Sequence, residues 1–596
     1  MSQRQKSQPS SRPTAPRHAK SAAKSGEPGQ RAQAPGLTLQ SYAVGALPLL
    51  NQILERMQLE PLLRQYLPKD DPRCEFPTSQ ALVLLIQNVL ISRAPVYAVG
   101  EWAAQYAPDL LNLWPDQVAL LQDDRLGRCL TRLFAGTGPE LILAVVRRVI
   151  EEFQVGLDEL HNDSTTVSFY GAYSAAAEEG RRLGRATHAI TFGHSKAHRP
   201  DLKQLLYTLT ISHDGGVPLY FTSASGNVVD DQTHQATWDL MCQLVGGPDF
   251  LYVADCKLAS AENLGYIAQR HGRFVTVMPR THKEDQQFRA QLRASPDAIR
   301  WQALYDLTDE DGNVVDRLSV CADEMLSSGG YRLLWYRSTR KAELDQVARS
   351  RRVQRAWVAL GDLRARLQGP RTRFRERAKV QQAVDALLTE CQVADWVRVQ
   401  VAEQEEATYK QTQPGRPSPQ TKYQKKTRTR FQLTWELDPA ALAEAERDDG
   451  LFPLLSNDRQ LTAEQVLRAY KRQPLIEKRF SQFKTDFAVA PVYLQDIGRI
   501  QGLLAIYFFV LLVQTLLERE LRRAMAREKL ESLPLYPEDR PCSRPTTYRV
   551  IEVFEPIQRH VLRVGDAEPQ FLVTNLSPLH RQIIRLLGLS PTDYGL

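Results

Sequence analysis

The chain has 596 residues, of which 43% are hydrophobic, and a formal net charge of +7 at pH 7. This length exceeds that of one ordinary domain, and the hydrophobic fraction excludes a largely unstructured chain, so we expect several domains with buried cores. The seven cysteines are scattered without a CxxC pair, which argues against a zinc module or a disulfide scaffold and favours a reducing compartment.

The first segment, residues 1–40, is basic and poor in large apolar residues. Up to residue 38 it carries seven lysines and arginines against one acid, Glu27, and no apolar stretch typical of a signal peptide. This composition predicts a disordered basic tail. Such a tail could add nonspecific affinity for nucleic acid, or it could be solvated without a function.

The next segment, residues 41–153, has the apolar periodicity of helices. Stretches such as LPLLNQILERM and ELILAVVRRVIEEF are separated by Pro, Gly and Asp signals. They predict a compact all-α domain. Binding of DNA ends or dimerisation would suit such a domain, but its residues do not distinguish these roles from simple packing.

Residues 154–280 change to the alternating pattern of strands. The segments LDELHNDSTTVSFYGAY, KQLLYTLTISHDGGVPLYFTSAS, FLYVADCKLAS and RFVTVMPR read as strands, and DDQTHQATWDLMCQLVGG reads as a helix. Their order predicts strand, strand, strand, helix, strand, helix, strand. This is the order of a ribonuclease-H-like α/β core.

Two aspartates follow predicted strands of this core. Asp163 follows a short apolar strand and precedes Ser164, Thr165 and Thr166, and Asp255 ends the run LYVAD. Carboxylates at strand ends project into the crevice where open α/β sheets bind ligands. Each aspartate could instead cap a turn or a helix. Four nearby acids compete for the same role, namely Asp158, Glu159, Asp230 and Asp231.

Residues 281–455 interrupt the core and are long enough to form an inserted, mostly-β (α+β) domain. A charged helical piece lies around residues 341–390, between strand-like segments. Within TYKQTQPGRPSPQTKYQKKTRTR several cations occur with no acid between them, and Pro and Gly predict an exposed, mobile loop. Phosphate contact is its natural use, and a solvated basic loop is the alternative. These cations are Lys410, Arg416, Lys422, Lys425, Lys426, Arg428 and Arg430.

Residues 456–530 are predicted to complete the core with an acid-bearing helix. In it, Tyr470, Glu477 and Lys484 follow at steps of seven and so share one helical stripe, although Pro474 can start or kink the helix. Such a stripe suits a divalent metal beside a polyanion, or it is an ordinary solvated helix face.

The apolar run LLAIYFFVLLVQTLL that follows is too short for a membrane span and is followed at once by charged residues, which favours a buried helix. Residues 531–596 are predicted to form a helical region without chemistry.

The motifs DSTT, VADCKLAS and YKRQPLIEKRFSQFK, in this order, are similar to those of the DDE transposases of bacterial insertion sequences. The third motif resembles the Y-R-E-K signature of one superfamily. The helical N-terminal region resembles the domain of unknown function that precedes the catalytic core in one subgroup. The resemblance covers most of residues 44–530.

This resemblance implies that Asp163, Asp255 and Glu477 form a metal-binding catalytic triad. Three carboxylates can hold two Mg²⁺ ions, with Mn²⁺ as a possible substitute, for cleavage of a phosphodiester bond and transfer of the freed 3′-OH to target DNA. In the family an aromatic residue of the inserted domain receives a flipped base, for which Trp301 and Trp335 are the candidates.

The resemblance also implies a set of DNA-binding residues around the triad. Tyr470 and Lys484 fall at the tyrosine and the lysine of the signature. Gln473 stands where the signature has arginine, with Lys471 and Arg472 just before it, so the identity of the phosphate-binding cation stays open.

The expected partners are terminal inverted repeats and target DNA, bound by a homodimer in the bacterial cytoplasm, near the nucleoid. We expect no membrane and no small-molecule substrate. Two alternatives remain: a ribonuclease-H-fold nuclease or resolvase without strand transfer, and an inactive DNA-binding derivative.

Overall fold

The computed structural model describes residues 37–196, 198–309, 311–369, 372–490, 492–564 and 567–595, with the backbone alone at Pro115, Asp230 and Asp231. The predicted basic tail lies outside the described residues as far as residue 36. Its last residues belong to a strand, β1, at Leu37–Ala43. The described part of the chain therefore begins inside the segment predicted as a tail.

The segment after β1 is helical, as the periodicity predicted. Its helices bury their apolar faces against one another, and α6 ends at Gln154 in a left-handed conformation. The helices are α1 Leu47–Arg56, α2 Leu59–Tyr66, α3 Thr78–Ile91, α4 Val99–Ala103, α5 Asp123–Gly136 and α6 Pro139–Phe153.

The α/β part follows with the predicted order of strands and helices, plus one small hairpin. β2 is almost wholly buried on both faces because it lies inside a sheet that is covered on both sides. The elements are β2 Glu159–Phe169, β3 Gly180–Arg182, β4 Arg185–Thr187, β5 Lys203–Ser212, β6 Pro218–Ser225, α7 His234–Val245, β7 Leu251–Ala254, α8 Ala261–Gln269 and β8 Arg273–Val277.

The region predicted as an insertion contains both strands and helices. It holds a 30-residue helix and two 15-residue strands. The elements are α9 Lys283–Ala294, β9 Trp301–Thr308, β10 Val314–Cys321, β11 Met325–Leu326, β12 Arg332–Ser338, α10 Thr339–Gln368, α11 Arg377–Glu390, β13 Val397–Gln411, β14 Tyr423–Leu437, α12 Pro439–Glu446 and β15 Leu451–Ser456.

The last part of the chain carries the predicted acid-bearing helix and a long apolar helix. Pro474 starts a new helix, so the predicted 462–487 helix is two helices followed by a π-helical turn at Gln482–Asp486. The elements are α13 Ala463–Tyr470, α14 Pro474–Ser481, α15 Ile497–Arg527, α16 Thr547–Phe554, β16 Gln558–Val564, β17 Gln570–Val573 and α17 Pro578–Leu586.

One large mixed sheet runs through the molecule in the order β6-β5-β2-β7-β8-β15-β12-β10-β9, with β11 paired to β12. The pairs β2–β7 and β7–β8 are parallel, and the other neighbours along this path are antiparallel. Strands β9, β10, β12 and β15 come from the predicted insertion, yet they extend the same sheet. A separate hydrophobic core exists there beneath α10, α11, β13 and β14.

Helix α15 lies at the centre of the molecule. It packs on α3, α5 and β6, and at Gly502 it approaches α5 so closely that a Cβ atom would lie 2.3 Å from the Leu130 carbonyl oxygen. By length and composition, α15 is long and apolar enough to cross a membrane. Two bent helix pairs would also be long enough if each pair were one span, namely α3 with Val96–Ala103 and α5 with α6. In this structure, however, 89% of the most apolar 18-residue stretch of α15 is buried inside the fold.

The C-terminal region was predicted to be helical, but it also contains the strands β16 and β17. β16 pairs with both β1 and β17, so that the two ends of the described chain share a three-stranded sheet. The stretch QRHVLRV alternates as a strand does, but it is short, and its main partner lies more than 500 positions away.

Candidate active site

The two aspartates lie where the parallel pairing of β2 with β7 stops. Asp255 directly follows β7, as predicted, but Asp163 does not end a strand, because β2 continues to Phe169 and pairs there with β5. Asn162 of β2 is opposite Ala254 of β7, and Asp163 and Asp255 come directly after this pair. Neighbouring strands are about 4.8 Å apart, and residues in register across parallel strands point to the same face of the sheet. The register therefore brings the two carboxylates to one place.

Asp163 lies in a partly closed, charged environment. One of its carboxylate oxygens accepts hydrogen bonds from the Ser164 backbone N–H at 2.7 Å and from the Lys196 ammonium at 3.2 Å. Burial raises the pKa of Asp163 to about 6; the ammonium of Lys196 opposes this rise, and the negative charge of Asp255 adds to it. The two aspartates are thus close enough for each to sense the other's charge.

Asp255 also serves as a helix N-cap, the alternative role that its sequence position allowed. Its Oδ1 atom accepts a hydrogen bond from the Lys257 backbone N–H at 3.0 Å at the start of the helical turn Cys256–Ala259. The Thr276 hydroxyl donates to the Asp255 carbonyl oxygen at 2.6 Å. The side chain and the backbone of Asp255 are therefore both held in position.

A buried hydrogen-bond network ties the start of α14 to β2. His161 is fully buried between Glu159, at 2.8 Å from Nε2, and the Gln473 amide oxygen, at 2.9 Å from Nδ1. The Arg472 guanidinium pairs with the second oxygen of Glu159. Burial alone would raise the pKa of Glu159, but its bonds to His161 and Arg472 hold it below the usual value.

The same network fixes the start of the helix that carries Glu477. Gln473, the residue before α14, contacts the His161 ring and the Asn162 carbonyl oxygen of β2, next to Asp163. Glu477 lies in the first turn of α14, four residues after Gln473, and is exposed. The beginning of this helix is therefore held beside the part of β2 that carries Asp163.

The phenol of Tyr470, at the end of α13, is influenced by the charges of all three acids. Burial raises the pKa of its phenol, and the negative charges of Asp255, Glu477 and Asp163 raise it further. One side chain therefore lies within electrostatic range of all three carboxylates.

The ligand atoms themselves are not gathered into a metal site. Among the residues that the structure describes, no group of three His, Cys, Asp or Glu side chains is close enough to hold a metal ion. The donor chemistry fits Mg²⁺, which prefers carboxylate oxygens, and the mutual repulsion of Asp163 and Asp255 is of the kind that a cation relieves. Asp163, Asp255 and Glu477 therefore do not form a ready-made cluster of ligands in the described structure.

Lys484 lies on the same side of the site. It belongs to the π-helical turn after α14 and is half-buried. Burial and the nearby ammonium of Lys196 lower the pKa of Lys484, while the charge of Asp163 opposes the change. The two lysines and Asp163 therefore form one charged cluster.

Lys196 is a site residue that the sequence did not single out. Its ammonium donates to the Ser164 carbonyl oxygen at 2.8 Å and to the Ser164 hydroxyl at 2.7 Å, besides Asp163. The segment that carries it packs tightly against the end of β6, since a Cβ atom on Gly193 would lie 1.8 Å from the Gly226 carbonyl oxygen. The available signal was its position just before β5, the strand that pairs with β2.

The remaining residues near the tyrosine make contacts within the fold. Lys471 approaches Asp316 of β10 at 3.5 Å, and Arg472 pairs with Glu159. Gln473 is buried. In the structure, Arg472 and Gln473 attach the start of α14 to β2. The resemblance had implied that these two residues contact DNA. The side chains of Asp230 and Asp231, two competitors for the metal-binding role, lie outside the described residues.

The prolines and the glycine of the basic segment predicted a mobile loop. The structure shows a β-hairpin instead. β13 and β14 pair over 15 residues each, and the residues that break strands are confined to the connecting turn. Lys410 lies on β13, Arg416 and Lys422 lie in the turn, and Lys425, Lys426, Arg428 and Arg430 lie on β14. Arg430 pairs with Glu406 at 2.5 Å and bonds the Gln368 carbonyl oxygen at 2.6 Å, so it braces the root of the hairpin.

The two tryptophans considered for a flipped base differ in access. Trp335 is 1% exposed and stacks on Phe288 with 3.9 Å between ring centroids, so it is a core residue and cannot receive a base. Trp301 is partly exposed at the start of β9, with the Arg337 guanidinium 5.8 Å from its ring centroid.

Comparison with known proteins identifies one region of the chain. Residues 39–146 match the family model described as a domain of unknown function (DUF4277), which confirms the resemblance expected for the helical N-terminal region. No curated protein matches the chain. One similar solved structure is the cryo-EM synaptic complex of the piggyBac transposase with hairpin DNA, at 8% identity over 86% of this chain and 78% of that chain, with a TM-score of 0.33. At that score the similarity establishes neither a common fold nor a common activity.

Proposed function

We propose that the protein is a DNA transposase of the DDE type, which cleaves the ends of an insertion sequence and joins the freed 3′-OH to target DNA. The observation that carries this proposal is that Asp163 and Asp255 directly follow the last paired residues of the parallel strands β2 and β7, with the start of the helix of Glu477 hydrogen-bonded to β2. Three antiparallel strands followed by two parallel ones beside the first is also the arrangement expected of a ribonuclease-H-like core.

Asp163, Asp255 and Glu477 are the residues that would hold Mg²⁺, or Mn²⁺ in its place. When bound, a pair of such ions lowers the pKa of an attacking water and stabilises the charge on the leaving oxygen. The chain itself supplies the orientation, because the β2–β7 register and the Gln473 contact fix two aspartates and a helix in one place.

Three further side chains would position the DNA at this site. Lys484 and Lys196 can each donate to a phosphate oxygen of the scissile strand. Tyr470 is protonated at neutral pH, as any tyrosine with an ordinary or raised pKa is, so its hydroxyl can donate a hydrogen bond to the same phosphate. We expect the protein to act as a homodimer on two DNA ends and to meet its target DNA in the bacterial cytoplasm.

The test is an assay with DNA taken from either side of the gene, a target plasmid, and Mg²⁺ or Mn²⁺. Joined products support transposition, cleavage without joining supports a nuclease, and binding alone supports an inactive derivative. Asp163→Asn, Asp255→Asn and Glu477→Gln should each reduce cleavage at least about a thousandfold, as loss of a metal-binding group does at a two-ion site, while DNA affinity stays within a few fold.

A matched control comes from the beginning of the same strand. Asp158 is one of the competing acids, and its side chain is 76% exposed near His213. Asp158→Asn should leave cleavage unchanged. If Asp158→Asn abolishes cleavage and Asp163→Asn does not, the assignment of the triad is wrong.

A further inference from the structure

The hairpin of β13 and β14 extends far beyond the core that supports it. Its root packs Val401, Phe431 and Leu433 beneath α10 and α11. From Ala402 outward along β13, and back along β14 to Thr427, nearly every residue is exposed. We call this outer part, residues 402–427, the ribbon arm.

Charge is segregated along this hairpin. Near its root the hairpin carries three acids: Glu406 lies opposite Arg428, and Glu403 and Glu405 lie opposite Phe431 and Thr429. From Ala407 to Thr427 the chain contains no aspartate or glutamate. The cations of that stretch are Lys410, Arg416, Lys422, Lys425 and Lys426.

The two faces of the ribbon arm differ in chemistry. Residues directly opposite in an antiparallel pair share a face. Thr408 and Lys426 therefore lie on one polar face, while Tyr409 and Lys425 lie on the other. Tyr423 is two residues from Lys425 and therefore lies on that second face. Both tyrosines are exposed to solvent, Tyr409 by 64% and Tyr423 by 49%.

An exposed two-stranded hairpin is only marginally stable by itself. The ribbon arm buries little apolar surface, so a partner is needed to account for its length. The outer stretch of the arm, from Ala407 to Thr427, has five cations and no acid, which favours a polyanion over a protein surface of mixed charge. Ten residues of strand, from Ala402 to Gln411, span about 33 Å, close to one turn of B-form DNA at about 34 Å.

We propose that the ribbon arm lies in the major groove of duplex DNA, with its cations on the flanking phosphates. A two-stranded β-ribbon fits the width of this groove. The inference rests on the proposed function for the nature of the partner, but it concerns a surface separate from the acids. It makes the arm the main source of the salt-dependent affinity of this protein for DNA.

The first test shortens the arm. Replacing the residues between Glu406 and Arg428, which are opposite each other, with Asn-Gly gives a two-residue turn that suits a hairpin and keeps the root. Fluorescence anisotropy with a 40-bp duplex of random sequence should show at least tenfold weaker binding. An unchanged affinity would overturn the inference.

The second test keeps the fold and removes charge. The triple variant Lys410→Gln, Lys425→Gln and Lys426→Gln should reduce the slope of log K against log salt by about 3, since each phosphate contact contributes about 0.9. The control neutralises three exposed lysines elsewhere, namely Lys69, Lys283 and Lys529. Equal slopes in the triple variant and the control would contradict the inference.

Two further readouts separate the possible outcomes. If the arm is required for DNA binding but no cleavage is found with any metal, the inference stands and the proposed function fails. Sedimentation of the shortened variant without DNA tests the other possible occupant, a second copy of the chain. A change of oligomeric state with unchanged DNA affinity would assign the arm to self-association and overturn the inference.

Discussion

At the scale of single residues, the site is built from charges that the fold forces together. Asp163 and Asp255 are brought side by side by strand register, and Lys196 partly compensates the repulsion. A carboxyl with a pKa near 6 is therefore a consequence of burial beside a like charge.

The raised pKa of Asp163 predicts a pH-dependent cost in the metal-free protein. The folded state binds a proton more tightly than the unfolded state, so this group's contribution to stability improves as the pH falls from above 6 toward 4. Asp163→Asn should raise the free energy of unfolding at pH 8 by up to about 3 kcal/mol and have little effect near pH 4. Urea unfolding at several pH values measures this difference. Asp158→Asn, at an exposed carboxyl, should change it by less than about 0.5 kcal/mol at each pH.

The Lys196 ammonium should compete with a divalent cation for Asp163. Charges about 4 Å apart interact by about 1 to 4 kcal/mol between water-like and protein-like surroundings. Lys196→Gln should therefore tighten Mn²⁺ binding about tenfold, which can be measured from the loss of the electron paramagnetic resonance signal of free Mn²⁺. The same variant should have a lower melting temperature than the wild type when the metal-free proteins are compared at pH 8. Lys196→Arg should resemble the wild type, and Lys283→Gln is the exposed control. Weaker Mn²⁺ binding by Lys196→Gln would contradict a competing role.

At the scale of elements, the central feature is the connection between α14 and β2. His161 and Gln473 are 312 positions apart in the chain, yet both are buried and hydrogen-bonded to each other. A short helix that begins at a proline has little stability of its own, so its direction depends on such contacts. The ribbon arm is the opposite case. Its two strands are hydrogen-bonded to each other along their whole length, but few contacts with the rest of the protein hold them in place.

Breaking the connection should loosen the helix of Glu477. Gln473→Ala leaves the buried His161 ring nitrogen without a partner, which costs about 1 to 3 kcal/mol of stability. Cleavage should fall at least tenfold because Glu477 loses its fixed position, with DNA affinity nearly unchanged. Glu464→Gln breaks an exposed ion pair with Arg468 on the preceding helix and serves as the control, at about 0.3 to 0.5 kcal/mol. Full activity of Gln473→Ala at wild-type stability would argue against the connection.

At the scale of the whole molecule, distant parts of the chain depend on each other. β1 and β16 form one sheet, and the Ile557 carbonyl oxygen accepts backbone hydrogen bonds from Val44 and Gly45. Helix α15 fills the space between the N-terminal helices and the large sheet. The region matched by the family model is therefore joined to the C-terminal region and to the core.

This arrangement predicts that damage to β16 appears at the N-terminal strand. Val561→Pro removes a backbone donor from the central strand of the three-stranded sheet, which costs about 3 kcal/mol locally. Hydrogen exchange should become fast at Leu37–Ala43 while β2 stays protected. Phe571→Ser, on an exposed side chain, should leave both rates unchanged. Continued protection of β1 in Val561→Pro would contradict the coupling.

The sequence by itself determined the features that depend on neighbouring residues. The N-terminal helices, the order of strands and helices around Asp163 and Asp255, and a helix carrying Glu477 all follow from apolar periodicity and from Pro and Gly signals. The same local signals misled the prediction of the basic hairpin, because prolines confined to a turn were taken to exclude the strands on either side.

Only the tertiary structure decided which distant residues meet. The register of β2 against β7, the bond from Lys196 to Asp163, the Gln473–His161 contact and the β1–β16 pairing all join positions far apart in the chain. Such contacts are selected by packing and charge in the whole fold, so short-range patterns in the sequence do not contain them. For the same reason the sequence predicted that Asp255 follows a strand and that Glu477 lies on a helix, but it did not show that Asp163 lies inside β2 or how far apart the three carboxylates are.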